Sequence, residues 1–488
     1  MPNNPSHLDL QAIAKEVMQQ HGFQPDFPPQ IPQQLADLKA HPPQIAATGD
    51  IRDLRNLLWS SIDNDTSRDL DQIEVADRAA NGDVKVMVGI ADVDSFVPKQ
   101  TAIDLHAARE TTTVYAGVRN FPMIPEELST GKTSLLENQD CLSVVVEFMV
   151  DSGGIVNSPS VYRAVVRNKA QLQYNSLGAW LEGKAPAPAK VVASGDLQAQ
   201  LKLQDEVAQK LKSQRFQHGA LTLQSDELQP LMLNDQVVGV VNQQKNHATE
   251  LIEDFMVAAN GVVARLLEKV SSLRRIVRTP ERWDRIVQLA ATKGNEKLPA
   301  QPDSKALNDF LVRRKAADPD HFADVSLAVI KLIGPGEYVL ERAGDVAPGH
   351  FGLAVQDYTH STAPNRRFVD VVTQRLIKAL LAGQKNPYSD DELTAIAANC
   401  TLKENAAKKV ERDMAKRLAA VALQKRIGEV FDAMVTGASE KGTFVRILQP
   451  RVEGLLVQNP QGLDVGDKLR VKLVRTDVQR GFIDFARV

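Results

Sequence analysis

Four aspartates crowd the segment IDNDTSRDLDQIEVA at 62–76: Asp63, Asp65, Asp69 and Asp71. Carboxylates this close repel one another, so each must stay solvated or share a cation. Asp69 and Asp71 are two residues apart and project to the same side of an extended segment. Asp63 can return to them across a loop. Oxygen-only ligands suit a hard divalent ion such as magnesium, which keeps several of its waters. Three carboxylates converging on one or two such ions is the arrangement of two-metal hydrolysis, and its usual substrate is a phosphodiester that brings its own oxygens. A solvated acidic turn is the plain alternative, because aspartate is common in turns. The segment alone leaves both open.

A second constellation is YTHSTAPNRRFVDVVTQR, Tyr358 to Arg375. Pro364 and Asn365 precede a helical pattern, which puts Arg366 and Arg367 at a helix N-terminus. Free backbone N–H groups and guanidinium groups there make an anion site. The competing reading has the arginines neutralising Asp370 or nearby acids. Glu253 in LIEDFM and Glu411 in VERDM lie on amphipathic helices, where a surface ion pair is the ordinary role. Tyr115 in TTTVYAG and Tyr174 in QLQYNS could stack on bases, although most tyrosines only pack.

Several elements must carry these residues. Residues 51–170 are mostly strand, with the β-branched runs VKVMVGIADV and CLSVVVEFMV and a turn at DSGG (151–154) that predicts a hairpin. From about 195 to 425 the pattern becomes helical, at 248–270, 368–383 and 405–426. Strands followed by helices give an α+β domain. From Ile427 five short strands separated by turns predict an OB-type barrel, a fold that often binds single-stranded nucleic acid. The first fifty residues read as a small helical module on a Pro/Gln-rich linker: Leu10, Ile13 and Val17 fall at helical spacing, and Gly22 is a stop. The predicted domains are therefore 1–50, 51–425 and 426–488.

Composition sets bounds on function. With 58 basic and 61 acidic residues the formal charge is −3, so a polyanion partner needs a locally basic channel. Cys141 and Cys400 have no metal-type spacing and no disulfide framework. No apolar run approaches the ~20 residues of a membrane span, and MPNNPSHLDL lacks a secretory pattern. The expectation is a cytoplasmic monomer.

Taken in order, these pieces resemble the RNase II/RNase R (RNB) family of exoribonucleases. IDNDTSRDLD, GIADVDSFV, FPMIPEELSTGKTSL and HFGLAVQDYTHSTAPNRRFVDVVTQR resemble four of its blocks in the same sequence. The likeness runs from about Leu54 to Arg426, and an S-one-type RNA-binding barrel follows. The resemblance implies magnesium-dependent hydrolysis of single-stranded RNA from the 3′ end, processively, to nucleoside 5′-monophosphates. Structured RNA with a 3′ overhang is a second candidate substrate. The implied roles are as follows. Asp63, Asp69 and Asp71 bind metal and act in catalysis, and Arg366 stabilises charge on the scissile phosphate. Tyr115 stacks on the terminal nucleotide and sets where degradation stops. Glu253 and Glu411 hold the last ribose, while Tyr174, Arg367 and, in the barrel, Phe444 lie near the RNA.

The sequence also departs from that family. Gln72 stands where a further aspartate is typical, and a neutral carbonyl is a weaker magnesium ligand. Asp65, at a position the family does not use, could partly substitute. Leu223 replaces an aromatic opposite the tyrosine clamp, and Lys441 and Val457 replace an aromatic and a histidine in the barrel. Fifty residues are too few for the two cold-shock barrels common at the family's N-terminus, which implies a path for RNA that is more open or is rebuilt by the small helical module. A degenerate, purely RNA-binding family member is the alternative that Gln72 favours.

Overall fold

The structure is a computed structural model describing residues 9–488 except 225–227, 234–235, 243–244, 320, 347 and 440–441. Two helices come first, α1 (Leu10–Gln20) and α2 (Gln30–Ala40). Asp9 caps α1 by accepting from the Gln11 and Ala12 N–H groups at 3.0 Å, and Gly22, at φ +82°, turns the chain out of it.

Next comes a seven-stranded sheet. Its strands are β1 (Arg52–Asp53), β2 (Ser60–Asp63), β3 (Gln72–Arg78) and β4 (Val84–Ala91), then β7 (Asp140–Val150), β8 (Val156–Arg167) and β9 (Ala170–Gln173), in the spatial order β1-β8-β7-β4-β3-β2-β9. Between β4 and β7 lie α3 (Ala102–Glu110) and the small ribbon β5 (Val114–Tyr115) with β6 (Asn120–Phe121). The DSGG turn does close a hairpin, pairing Val150 with Val156. Central strands are covered on both faces, so Val86, Val88, Val145 and Phe148 are wholly buried. Such positions need no polar alternation, which is why β4 and β7 are nearly continuous apolar runs.

Helices α4 (Tyr174–Leu181), α5 (Ala189–Val192), α6 (Gly195–Gln217) and α7 (His247–Leu266) follow, with the ribbon β10 (Leu228–Leu233) and β11 (Gln236–Asn242) between the last two. Helices α6 and α7 lie against the sheet. An Asn246–Thr249 capping box starts α7. Strand β12 (Ser272–Ile276) pairs with β13 (Glu337–Glu341) across a helical insert of α8 (Trp283–Gly294), α9 (Ser304–Ala317) and α10 (Phe322–Ile333). Then α11 (Phe368–Leu381) enters the main core with Phe368, Val372 and Leu376, and the 34-residue α12 (Asp390–Leu423) follows. The helical pattern of 405–426 is thus the second half of a longer helix, started by a Ser389–Glu392 capping box and three acidic residues that suit the N-terminal dipole.

The C-terminal strands β14 (Val430–Ser439), β15 (Gly442–Ile447), β16 (Glu453–Gln458), β17 (Lys468–Asp477) and β18 (Phe482–Arg487) close a barrel. The end of α12 plugs it with Ala419, Ala420 and Leu423. Arg446 on β15 also reaches Asp324 on α10 at 2.6 Å. The mixed α+β architecture with a closed barrel matches the sequence expectation.

Candidate active site

Strand β3 begins one residue after Asp71, so its start fixes that carboxylate. Three bonds hold the stretch before it. The Leu70 N–H donates to Ser134 Oγ at 2.9 Å, the Ser134 hydroxyl donates to the Arg68 carbonyl at 2.6 Å, and the Leu135 N–H donates to the Leu70 carbonyl at 3.0 Å. Asp71 itself is buried, and its Oδ1 accepts the Asn365 N–H at 2.8 Å. Arg366 Nε lies 3.5 Å from Asp71 Oδ2. Burial pushes the Asp71 carboxyl up to about 8, against the pull of Arg366 and the Asn365 N–H, and the charge on Asp69 adds to the rise.

Asp63, at the end of β2, is half-buried. It accepts from Ser67 Oγ at 2.8 Å and from the Asn64 N–H at 2.7 Å. Burial raises its pKa, and both Asp69 and Arg366 act on it electrostatically. Strand β9 sets Gln173 beside Asp63, so Tyr174, the next residue, opens α4 at the same place. Burial raises the Tyr174 phenol as well, and the charges that act on it are Asp63, Glu74 and Arg366. Asp65 is exposed at the turn.

Tyr115 joins this group from the other side. Its hydroxyl donates to Asp69 Oδ2 at 3.1 Å, and its backbone N–H donates to Glu411 Oε1 at 3.3 Å. The segment leading to it is unusual, because Thr111 closes α3 at φ +61°, a region that costs a β-branched residue energy. The Thr111 carbonyl accepts the Phe368 N–H at 2.8 Å, and the Thr113 N–H donates to the Arg366 carbonyl at 3.0 Å. The clamp strand and the arginine turn are therefore hydrogen-bonded to each other.

The two arginines part company. Arg367 is the N-cap residue of α11, and its Nε and Nη2 donate to Asp370 at 2.9 and 2.8 Å. Asp370 is wholly buried and also takes the Ala363 N–H at 2.8 Å, which shapes the turn before the helix. Neutralisation of Asp370 thus describes Arg367, while Arg366 stays open to solvent.

The structure gathers Asp63, Asp69, Asp71, Arg366, Tyr115, Tyr174 and Glu411 into one neighbourhood. It does not join Glu253 to them: that carboxylate pairs with Lys245 and lies 3.9 Å from Arg215. Phe444 is half-buried on β15 of the barrel, Leu223 is half-buried in the chain after α6, and Val457 is exposed. Lys441 lies outside the described residues. Gln72 is half-buried at the first position of β3.

Sequence reasoning gave no role to Asn365, Ser134 or Glu74, and named Asp370 only as an acid for the arginines to neutralise. Glu74 is wholly buried, neither carboxylate oxygen has a hydrogen-bond partner, and burial drives its pKa well upward. Its apolar setting in β3 was the available signal, since an acid amid IEVA must be buried or face out.

As to a metal, among the described residues no three carboxylate, imidazole or thiolate groups stand close enough to cage one ion. The donor chemistry nevertheless fits magnesium, which is usually held by one or two carboxylates with waters and substrate phosphate. Charge on Asp69 raises both Asp63 and Asp71, and a divalent cation relieves that repulsion.

Comparison with known proteins bears on the family and the fold. The chain is 30% identical over 469 residues to Ribonuclease R of Thermotoga maritima and 29% identical over 448 residues to that of Escherichia coli, covering 90% and 88% of this chain. It spans 65% and 54% of those relatives' lengths. Mycoplasma genitalium RNase R, solved in complex with ribose-methylated single-stranded RNA, superposes with a TM-score of 0.86 at 21% identity, over 98% of this chain and 78% of that one. The RNase II-type exonuclease C-terminal S1 domain matches residues 429–488. The RNB domain matches residues 51–383, from the sheet that carries the aspartates through the helix behind Arg366, and the chain belongs to the RNB domain family.

Proposed function

We propose that this chain is a magnesium-dependent 3′-to-5′ exoribonuclease that degrades single-stranded RNA processively to nucleoside 5′-monophosphates. The observation that carries this reading is the pairing of buried Asp71 with solvent-open Arg366, beside Asp69 and under Tyr115. Relatives named Ribonuclease R and a fold shared with a protein solved on single-stranded RNA support it.

The roles proposed here are those that the family resemblance implies, Glu253 included although the structure does not join it to the other residues. Water attacks the terminal phosphorus and the P–O3′ bond breaks, which leaves a 3′-hydroxyl on the shortened chain and a 5′-phosphate on the released nucleoside. Arg366 meets the equatorial phosphate oxygens, where charge builds. Asp63, Asp69 and Asp71 would hold magnesium, which supplies Lewis acidity and a lowered water pKa when bound. Tyr115 offers its ring to the terminal base while its hydroxyl stays on Asp69. Glu411 and Glu253 take the role of contacts to the last ribose, where the 2′-hydroxyl marks RNA. Tyr174, Arg367 and Phe444 serve RNA along its path. The chain would act as a cytoplasmic monomer in RNA decay or processing, and a duplex with a 3′ overhang is a second substrate to try. No described helix is long and apolar enough to cross a membrane.

The test is incubation with uniformly labelled single-stranded RNA, with magnesium and then with chelator. Mononucleotides that depend on magnesium are expected. Their absence, or equal release with chelator, overturns the reading. Gln72 favours one other reading, RNA binding without turnover, which predicts a shifted band and intact RNA at every magnesium concentration.

A further inference from the structure

The N-terminal helix is built into the back of the tyrosine clamp. Ile13, Ala14, Val17 and Met18 of α1, with Phe23 beyond it, share one apolar cluster with Val114, Ala116 and Phe121 of the β5–β6 ribbon. The same cluster holds Ala407, Val410 and Met414 of α12. Val114 and Ala116 flank Tyr115 and are buried, while Tyr115 is 38% exposed on the opposite side. The residues that bracket the clamp therefore belong to the cluster that α1 and α12 complete, with α12 packed against both α1 and the clamp strand, and the clamp hydroxyl faces Asp69.

Polar contacts fasten the same junction at three more points. The Lys403 ammonium donates to the Gly22 carbonyl at 2.7 Å and lies 4.4 Å over the Phe23 ring. The Gln24 N–H donates to Glu110 Oε2 at 3.0 Å, at the end of the helix that leads into the clamp strand. His21 Nε2 lies 3.0 Å from Asp413 Oδ2, two residues beyond the Glu411 that holds the Tyr115 N–H. Helix α1 and the four residues after it thus contact α12, which holds the clamp backbone, and the end of α3, which leads into the clamp strand.

We propose that α1 is a positioning element for Tyr115, and that Val17 and Phe23 are specificity-determining residues which set the length at which degradation stops. This rests on the exoribonuclease reading above. A stacking platform discriminates product length through where its ring stands, and a shift of about 1 Å at a supporting contact is enough to misplace a bound group. Removing side-chain volume behind Val114 lets the ribbon settle toward α1 and draws Tyr115 away from Asp69. The Arg366 side chain has its own supports in Asn365 and Asp71, beyond the bond that its carbonyl accepts from the Thr113 N–H.

The experiment uses the full chain and a 5′-labelled oligoadenylate about 30 nucleotides long, with magnesium present. Val17→Ala and Phe23→Ala are expected to lengthen the limit product by about one or two nucleotides while the initial rate stays within about twofold, because stacking per base is lost at the clamp alone. Val17→Ile, which leaves no void behind the ribbon, is expected to keep the wild-type ladder. Lys403→Met, which cuts the tie to the Gly22 carbonyl and frees the segment after α1 from α12, serves if either alanine variant fails to fold, and is likewise expected to lengthen the limit product. Folded variants with an unchanged ladder overturn the proposal. So does a fall in rate with the ladder unmoved, which would give α1 a purely structural role. A wild-type chain that leaves RNA intact overturns the nuclease reading itself, so the two failures are distinguishable.

Discussion

Arg366 Nε stands 3.5 Å from Asp71 Oδ2, yet the acid side chain is 3% exposed and the guanidinium 46%. One partner is locked and the other can leave. The acid is held by a backbone N–H whatever the arginine does, so Arg366 can turn toward a phosphate without leaving the carboxylate unsupported.

Arg366→Ala is expected to cut turnover on single-stranded RNA by about 10²-fold or more, the scale of losing one preorganised contact to a charged transition state. Affinity measured in chelator should change far less. Single-turnover kinetics decide it, and an unchanged rate removes Arg366 from the chemistry. Arg366→Lys should recover only part, because a point charge cannot fork onto two oxygens.

Tyr115 has two functions that separate by substitution. Tyr115→Phe deletes only the bond to Asp69 and is expected to keep the wild-type ladder of products. Tyr115→Ala deletes the ring and should lengthen the final product with the early rate largely intact. Gel analysis of end products distinguishes them, and identical ladders for all three proteins count against a clamp.

Gln72→Asp adds a carboxylate at the start of β3. The magnesium concentration for half-maximal activity is expected to fall several-fold, since a charged oxygen replaces a neutral one. Calorimetric magnesium titration without RNA gives an independent reading. No change in either measurement would place residue 72 outside the ion's reach.

His106 is buried beside the Phe27 ring, with centroids 4.8 Å apart. Burial, and then the Arg109 and Lys403 cations, lower its pKa from 6.5 to about 4 against the opposing pull of Glu110. The fold prefers the neutral ring, so the stabilisation is complete above about pH 6.5 and is lost as pH falls toward 4. It is on the order of 2–3 kcal/mol. In His106→Gln, unfolding midpoints in urea should fall less steeply between pH 6.5 and 4 than in the wild type. Parallel curves would show that the ring does not titrate with folding.

Glu74 has no partner for either oxygen. Glu74→Met, similar in volume, is expected to raise the melting temperature, corresponding to about 1–3 kcal/mol from removing an unpaired buried polar group. A lower melting temperature would show that the carboxyl does have a partner.

Local chemistry made half of this site legible in the sequence. Asp63, Asp69 and Asp71 announce themselves because carboxylates at that spacing before an apolar strand have few other uses. The five barrel strands and α1 were visible because period and turn residues agree. The supports were not visible. Asn365 matters through a backbone N–H, which any residue but proline provides, and Ser134 matters because a chain folded back over 64 residues sets its hydroxyl under Leu70. Arg366 and Arg367 are identical in type and adjacent, and only the position of Asp370 in three dimensions tells them apart. The first turns of α12 were hidden because DDELTAIAANCTLKE mixes apolar and polar residues around the helix, and its capping box, Ser389 with Glu392, lies well before the recognisable stripe that begins at 405.

The bond between Asn365 and Asp71 joins residues 294 positions apart. A ribosome that has released only the first 300 residues has delivered every aspartate of the site and neither the turn that steadies them nor the arginine beside them. The centre is assembled only when the late segment threads back onto the early strand, so a half-made chain holds the acids without their closing turn.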